Sequence, residues 1–417
     1  MAQQIVTWRH LVAVVFFASA AAGQFLSCFP DSAQDVSQSN SFDFTGVDEF
    51  GLKLFRELVP PSSSGSNLLM SPYSIWSALG LALMGAQGNT KLQLEKVLKL
   101  PNNKLQAFRT KYAMDFMMRV SGSGASGGPE LRAMDRAYFD NGLSLRPCVS
   151  NVIQSVEIVD FGDTAKATAK INDDVSQATG GQIKDFLSPA ALVNAVFVLI
   201  NAIYFKGTWE TKFNAQDTTK QVFYNALGER AATVDMMTLT GQFKIVNSPP
   251  LGATMLELPY DKSNITMLVL LPDSKNPSVD GVLQNLTPYT LREAMRASQK
   301  LSVKIMLPKF DLTTEIQNEL VLALGNLGIT DMFNPVRANF SDFTSETPLF
   351  ADTAVHQAKV AVDEEGTVAA AATAIIGTRS RPGRVFDFIV NRPFIFLIYE
   401  HNVRAIIFAG VIRNPSK

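Results

Sequence analysis

Imidazole and thiol chemistry in this chain rests on five side chains: the histidines His10, His356 and His401, and the cysteines Cys28 and Cys148. They are scattered, without the clustered ligands of a structural zinc site, so metal chemistry is not expected. A serine nucleophile would need His356 or His401 as its base. Neither sits in a supporting motif, and both read as hydrogen-bonded structural histidines. Gly122-Ser123-Gly124-Ala125-Ser126-Gly127 matches the dinucleotide fingerprint as a string, and Gly124-Ala125-Ser126-Gly127-Gly128 matches the hydrolase nucleophile elbow. Both motifs work only with a strand before and a helix after, because the turn and the helix N-terminus carry the chemistry. Here a helical pattern precedes the loop, which runs through Pro129 toward the apolar Ala137-Tyr138-Phe139, so both read as chance strings. Asp363-Glu364-Glu365 offers carboxylates for a cation, but consecutive acids in an extended chain point to opposite faces, which favours a solvated turn.

The elements that must position any site start after a leader. Met1–His10 carries Arg9 and no acid, Leu11–Ala22 is a short apolar run, and Ala20, Ala21, Ala22 and Gly23 are small. This is the pattern of a secretory signal peptide, here residues 1–23, too short to span a bilayer. Secretion agrees with three glycosylation acceptors, Asn264, Asn285 and Asn339, each followed two residues later by Thr or Ser. The 417 residues are 47% hydrophobic, enough for a large core and against wholesale disorder. Net charge is −1 with no charge block, so a nucleic-acid partner is not expected. No later segment reads as a membrane span.

Phe44–Leu58 has helical spacing and ends at Pro60-Pro61. Ser71-Pro72 opens a second helix through Met84, since serine then proline suits a helix start. Leu105–Val120 is a third. Lys104, Arg109, Lys111 and Arg119 give that helix a weak basic stripe, a candidate glycosaminoglycan contact that reads first as a solvated face. Ala195–Phe205 and Thr266–Leu271 are nearly continuous apolar runs, as strands buried on both faces should be. Leu301–Leu307 alternates like a half-buried strand; Phe386–Val390, Phe394–Tyr399 and Ala405–Ile412 read as three late strands. With no repeat and no linker, the chain is expected to form one α+β domain over residues 24–417.

Gly366–Ile376 resists a simple reading. Its alanine run favours helix, whereas the flanking Thr367, Val368, Thr373, Ile375 and Ile376 favour strand. As a strand, it would put Thr367, Ala369, Ala371, Thr373, Ile375 and Gly377 on one face, none of them charged. An ordinary connecting loop or short helix stays open beside that reading.

At this point the sequence resembles the serpins. Glu364, Glu365, Gly366 and Thr367, then Ala369, Ala370, Ala371, Ala372 and Thr373, are similar to the hinge of an inhibitory serpin, with Val368 where many inhibitory members carry glutamate. The likeness covers most of the chain: Asn67, Ser71-Pro72 and Ser74-Ile75; Gly85-Ala86, Gly88 and Thr90; Ile171-Asn172, Thr179, Gly181 and Ile183; Asn201, Phe205-Lys206-Gly207, Trp209 and Phe213; Leu256–Tyr260; Leu307–Phe310; His356; and Pro393-Phe394-Phe396, in the family's order.

The resemblance implies a single α+β domain with a large central β-sheet, further sheets, about eight or nine helices and an exposed reactive loop over about residues 364–390. It implies no enzyme but a secreted, monomeric inhibitor without a cofactor. A trypsin-like protease cuts the loop and is caught as an acyl-enzyme when the loop inserts into the central sheet. Thr367 to Arg379 is 13 residues, so the inserted strand spans roughly 40 Å. Ser71, Ser74, Asn201 and His356 would form a polar gate under that sheet. For the cleaved bond, counting from Glu364 lands on Ser380-Arg381, whereas chemistry favours Arg379-Ser380, because trypsin-like pockets hold an aspartate that pairs with arginine. Arg381 precedes Pro382 and is disfavoured; Arg384-Val385 remains open, as the loop is a residue or two longer than usual. A non-inhibitory carrier or structural serpin is the alternative.

Overall fold

The computed structural model describes residues 42–416 except 125–126, 148, 150–152, 154, 274–277, 347–348 and 368–384. The leader, Cys28, Cys148 and the loop from Val368 to Arg384 therefore lie outside the described residues.

The expected helices form at Thr45–Leu58 (α1), Pro72–Gly85 (α2) and Lys104–Ser121 (α4), with Gly88–Leu98 (α3) between them. Ser71 caps α2, its hydroxyl accepting from the Ser74 N–H at 3.1 Å, and Pro72 occupies the first turn, where no amide donor is needed. Later come Thr164–Ala178 (α5), Val279–Asn285 (α6), Pro288–Ala297 (α7) and Asn318–Leu327 (α8), eight α-helices among the described residues.

In chain order the strands are Leu68–Met70 (β1), Glu130–Asp140 (β2), Val156–Val159 (β3), Phe197–Thr208 (β4), Thr219–Tyr224 (β5), Arg230–Ser248 (β6), Ala253–Pro259 (β7) and Ile265–Pro272 (β8). Then follow Gln299–Pro308 (β9), Phe310–Ile316 (β10), Thr353–Val362 (β11), Gly366–Thr367 (β12), Phe386–Ile389 (β13), Phe394–Glu400 (β14) and Ala405–Ile412 (β15). A nine-stranded sheet runs β1-β15-β14-β8-β7-β6-β9-β13, with β5 beside β6. A six-stranded sheet runs β10-β11-β4-β2-β3, with β12 on the end of β4. The Gly/Ser loop joins α4 to β2, helix to strand, the reverse of the order that either chance motif requires.

β4 explains its own apolar run. Phe197, Leu199, Ile203 and Phe205 point into the core between the sheets, while Val198, Ile200 and Ala202 pack under α5 against Ile171 and Val175. A strand covered on both faces needs no polar alternation. All fourteen residues of α2 are buried. None of the described helices is long and apolar enough to cross a membrane.

Candidate functional site

The seam between β4 and β11 gathers most of the singled-out residues that the structure describes. The two strands are parallel, paired from Thr353↔Val198 to Lys359↔Tyr204. Beyond that ladder β11 parts from β4, and a tight turn at Asp363–Gly366 reverses the chain. Gly366 and Thr367 then pair antiparallel with Thr208 and Gly207. Only glycine fits at 366: φ is +152°, and a Cβ would lie 2.0 Å from the Gly207 carbonyl oxygen.

Thr367 is fully buried, and its hydroxyl meets the Tyr260 hydroxyl at 2.8 Å. Burial pushes the Tyr260 phenol well above its usual range, so it is neutral and free to share that bond. Tyr260 stacks on Trp209, centroids 4.7 Å apart, and the Trp209 indole N–H donates to the Asp363 carbonyl at 3.0 Å. Backbone N–H groups of Trp209 and Phe213 donate to the carbonyls of Glu365 and Glu364, both at 2.9 Å.

The acids of this turn are not simply solvated, as the sequence suggested. Glu364 accepts from Lys309 at 2.8 Å and Thr218 at 2.7 Å; Glu365 accepts from Lys212 at 2.5 Å. Burial opposes ionisation of Glu364, but those hydrogen bonds outweigh it and hold the carboxyl below its usual range. Periodicity misses the turn's partners because they come from distant segments. Trp209, Tyr260 and Lys309 were legible as family positions, but nothing local told of their role.

Midway along the seam, Ser71, Ser74, Asn201 and His356 come together. The Ser71 N–H donates to His356 Nε2 at 3.0 Å, so the ring proton is on Nδ1, which donates to Asn201 Oδ1 at 2.5 Å. Asn201 Nδ2 donates to the Ser74 carbonyl at 3.0 Å and to its hydroxyl at 2.5 Å. The Ser71 hydroxyl donates to the Ile407 carbonyl in β15 at 2.6 Å, tying α2 to the other sheet. Burial pushes the His356 pKa down to about 3, so the ring is neutral at ordinary pH. A neutral, fully bonded imidazole between two strands is a fastener rather than a base. His401 is structural too, its Nε2 3.0 Å from the Thr266 hydroxyl and its ring edge-on to Tyr399.

Two members of the basic stripe on α4 do not lie on the solvated face expected of them. Lys104 and Lys111 are buried, Lys104 on Asp342 and Lys111 on Asp115 and Asp135. With the lysine stems folded inward, two of the four cations are not available as a surface contact. The three glycosylation acceptors, Asn264, Asn285 and Asn339, are exposed.

A family model described as "Serpin (serine protease inhibitor)" matches residues 45–415. Serine protease inhibitor 88Ea of Drosophila melanogaster is 32% identical over 394 residues, 89% of this chain and 91% of that protein. Among solved structures, native protease nexin-1 with heparin superposes with a TM-score of 0.77 at 29% identity, covering 89% of this chain and 98% of the other. Human thyroxine-binding globulin with its hormone reaches 0.78, but at 24% identity, covering 89% and 98%, and shares the fold alone. With a family model spanning nearly all the described residues and the expected α+β fold in place, this chain belongs to the serpin family.

Proposed function

We propose that the protein is a secreted, monomeric inhibitor of trypsin-like serine proteases that works as a suicide substrate. The bait is Arg379-Ser380. The protease serine Oγ attacks the Arg379 carbonyl, the Ser380 nitrogen leaves as an amine carrying a proton, and an ester joins the two proteins. The freed strand then inserts between β4 and β11 before water can cleave the ester. Deacylation needs triad and oxyanion hole in register, and a shift of about 1 Å can cost on the order of 100-fold. Secretion, through the leader 1–23, and glycans at Asn264, Asn285 and Asn339 belong to the same reading.

The observation that carries it is the pairing of Gly366–Thr367 with β4. Continuing that antiparallel register one for one would set Thr373 opposite Asn201 and Gly377 opposite Phe197, the first residue of β4. Thr367 faces the core between the sheets, and so would Ala369, Ala371, Thr373, Ile375 and Gly377, all small or apolar. A strand of residues 366–377 would fill β4 along roughly 40 Å. Arg379 would then lie just past its far end, carrying the protease with it. This supports Arg379 over Arg384, which would leave a longer tether.

Incubation with trypsin tests the proposal. An SDS-stable complex and release of Ser380–Lys417, 38 residues, are expected. Cleavage without a complex contradicts inhibition, and a peptide starting at Arg381 or Val385 moves the bait to Ser380 or Arg384.

A carrier role is favoured by one observation. A cavity of about 220 Å³ is lined by Lys244, Arg292, Arg296, Arg404, His401 and Tyr399, with Glu257 and Met295, a mostly cationic set in which Glu257 already pairs with Lys244. Its volume falls below the roughly 300–1,000 Å³ usual for small-molecule sites. The seated hinge is the stronger observation, and inhibition is the preferred function.

A further inference from the structure

The gate continues past Asn201 onto a third strand, as a charged bolt. His356 on β11, Asn201 on β4 and Asp135 on β2 are register partners in sequence, His356↔Asn201 and Asn201↔Asp135, so they form one row across adjacent strands on one face. Beneath that row runs α2, with Ser71, Ser74 and Ser77 spaced one helical turn apart. Each serine meets one member of the row: Ser71 meets His356, Ser74 meets Asn201, and the Ser77 hydroxyl lies 3.0 Å from Asp135 Oδ2.

The third position differs from the first two in being charged. Lys111 Nζ on α4 donates to Asp135 Oδ2 at 3.2 Å and to Asp115 Oδ2 at 2.6 Å. Asp115 Oδ1 also accepts from the Tyr73 hydroxyl at 3.0 Å, and the Ser77 hydroxyl, 2.8 Å away, shares its single proton between Asp115 Oδ1 and Asp135 Oδ2. The partners of Asp115 on α2 and α4 are therefore all helical, whereas among the described residues Asp135 alone joins this cluster to the sheet. Charge-assisted hydrogen bonds in a site this dry are the strong kind.

We infer that Asp135, held by Lys111 and Ser77, is a positioning residue that sets the barrier to opening the seam. The inference rests on the proposed inhibitory function. When a strand enters between β11 and β4, β2 must travel with β4, since the two are paired from Glu130↔Lys206 to Phe139↔Phe197. The helix α2 is tied to the other sheet through Ser71 and Ile407. Asp135 must therefore leave Lys111 and Ser77 at the moment Asn201 leaves Ser74 and His356. Serine hydroxyls can find other partners after the shift; a carboxylate only 18% exposed is harder to satisfy once separated from its cation.

The test uses the full-length protein and a synthetic peptide of residues 367–379, whose uptake into the sheet is followed by native electrophoresis in urea. Asp135→Asn keeps the shape and a bond to Ser77 while removing the charge pairing. It should take up the peptide about tenfold faster than the parent protein. Asp115→Asn disturbs the same cluster but leaves Lys111 wholly to Asp135, so uptake should be no faster than in the parent. A merely structural role would make the two variants alike. Equal rates for Asp135→Asn and the parent, or equal acceleration by both variants, would overturn the bolt while leaving the inhibitory function standing. Failure of the parent and both variants to take up peptide would overturn both.

Discussion

The two halves of the β4–β11 seam are built differently. At the hinge end, neutral contacts dominate: a Trp209–Tyr260 stack, a hydroxyl pair between Tyr260 and Thr367, and Gly366 against Gly207, with ion pairs only at the rim. At mid-seam, every fastener is a directional bond among buried groups, from Ser71 through His356 and Asn201 to Ser74. The hinge end already admits two residues; mid-seam is shut. Shape and small side chains decide entry in the proposed mechanism, whereas progress depends on exchanging hydrogen bonds. An unmade bond at mid-seam costs more than a lost contact at the rim, because a buried polar atom without a partner forfeits its hydration as well.

The sharpest way to break this comparison is at the hinge. Thr367→Arg would force a guanidinium beside Tyr260 in a fully buried site, and an unpaired buried charge costs several kcal/mol even after relaxation. The bait is untouched, so trypsin should still cut. Covalent complex on gels should be lost, with full cleavage in its place; complexes at the parent stoichiometry would show that the hinge plays no part.

At mid-seam the expected effect is smaller and depends on pH. His356 has a folded pKa of about 3 against about 6.5 when unfolded. Folding therefore favours the neutral ring, and its contribution is complete above about pH 6.5 and lost as pH falls toward 3. Relative to His356→Gln, which cannot titrate, the parent should lose about 1.4 kcal/mol per pH unit through that window. Urea melts at several pH values measure it, and parallel curves would contradict a neutral buried imidazole.

Two lesser changes grade the hinge end. Trp209→Phe keeps a ring on Tyr260 but removes the N–H to the Asp363 carbonyl, an expected loss of about 1 kcal/mol in the same melts. Lys309→Met removes the ion pair to Glu364 at a lysine 39% exposed, and water screens it to about 0.5 kcal/mol or less. A larger loss from Lys309→Met than from Trp209→Phe would reverse the assignment of the rim as secondary.

Much of this was legible in the sequence, for identifiable reasons. The apolar run at Ala195–Phe205 marks a strand because both of its faces are covered, and Ser71-Pro72 marks a helix start because capping is local chemistry. The gate residues were legible only through the family likeness, since residues 71, 201 and 356 meet by tertiary folding alone. The row's extension was not legible at all. Lys111 looked like one cation in a surface stripe, and nothing about Asp135, between Met134 and Arg136, singled it out. Only the packing of α4 and α2 under β2 turns them into a largely sheltered pair. The hydrogen-bonding partners of Glu364 and Glu365 were missed for the same reason: Lys212, Thr218 and Lys309 arrive from other segments.

The central claim is that the intact chain withholds a strand that its six-stranded sheet can accept. The most direct measurement is the melting temperature of the intact protein against that of the same protein cut once in the loop and freed of protease. Insertion of residues 366–377 adds a strand of sheet hydrogen bonds and buries a small apolar face, so the cut protein should melt well above the intact one. A cut protein that melts at the same temperature, or lower, would contradict loop insertion and with it the inhibitory mechanism.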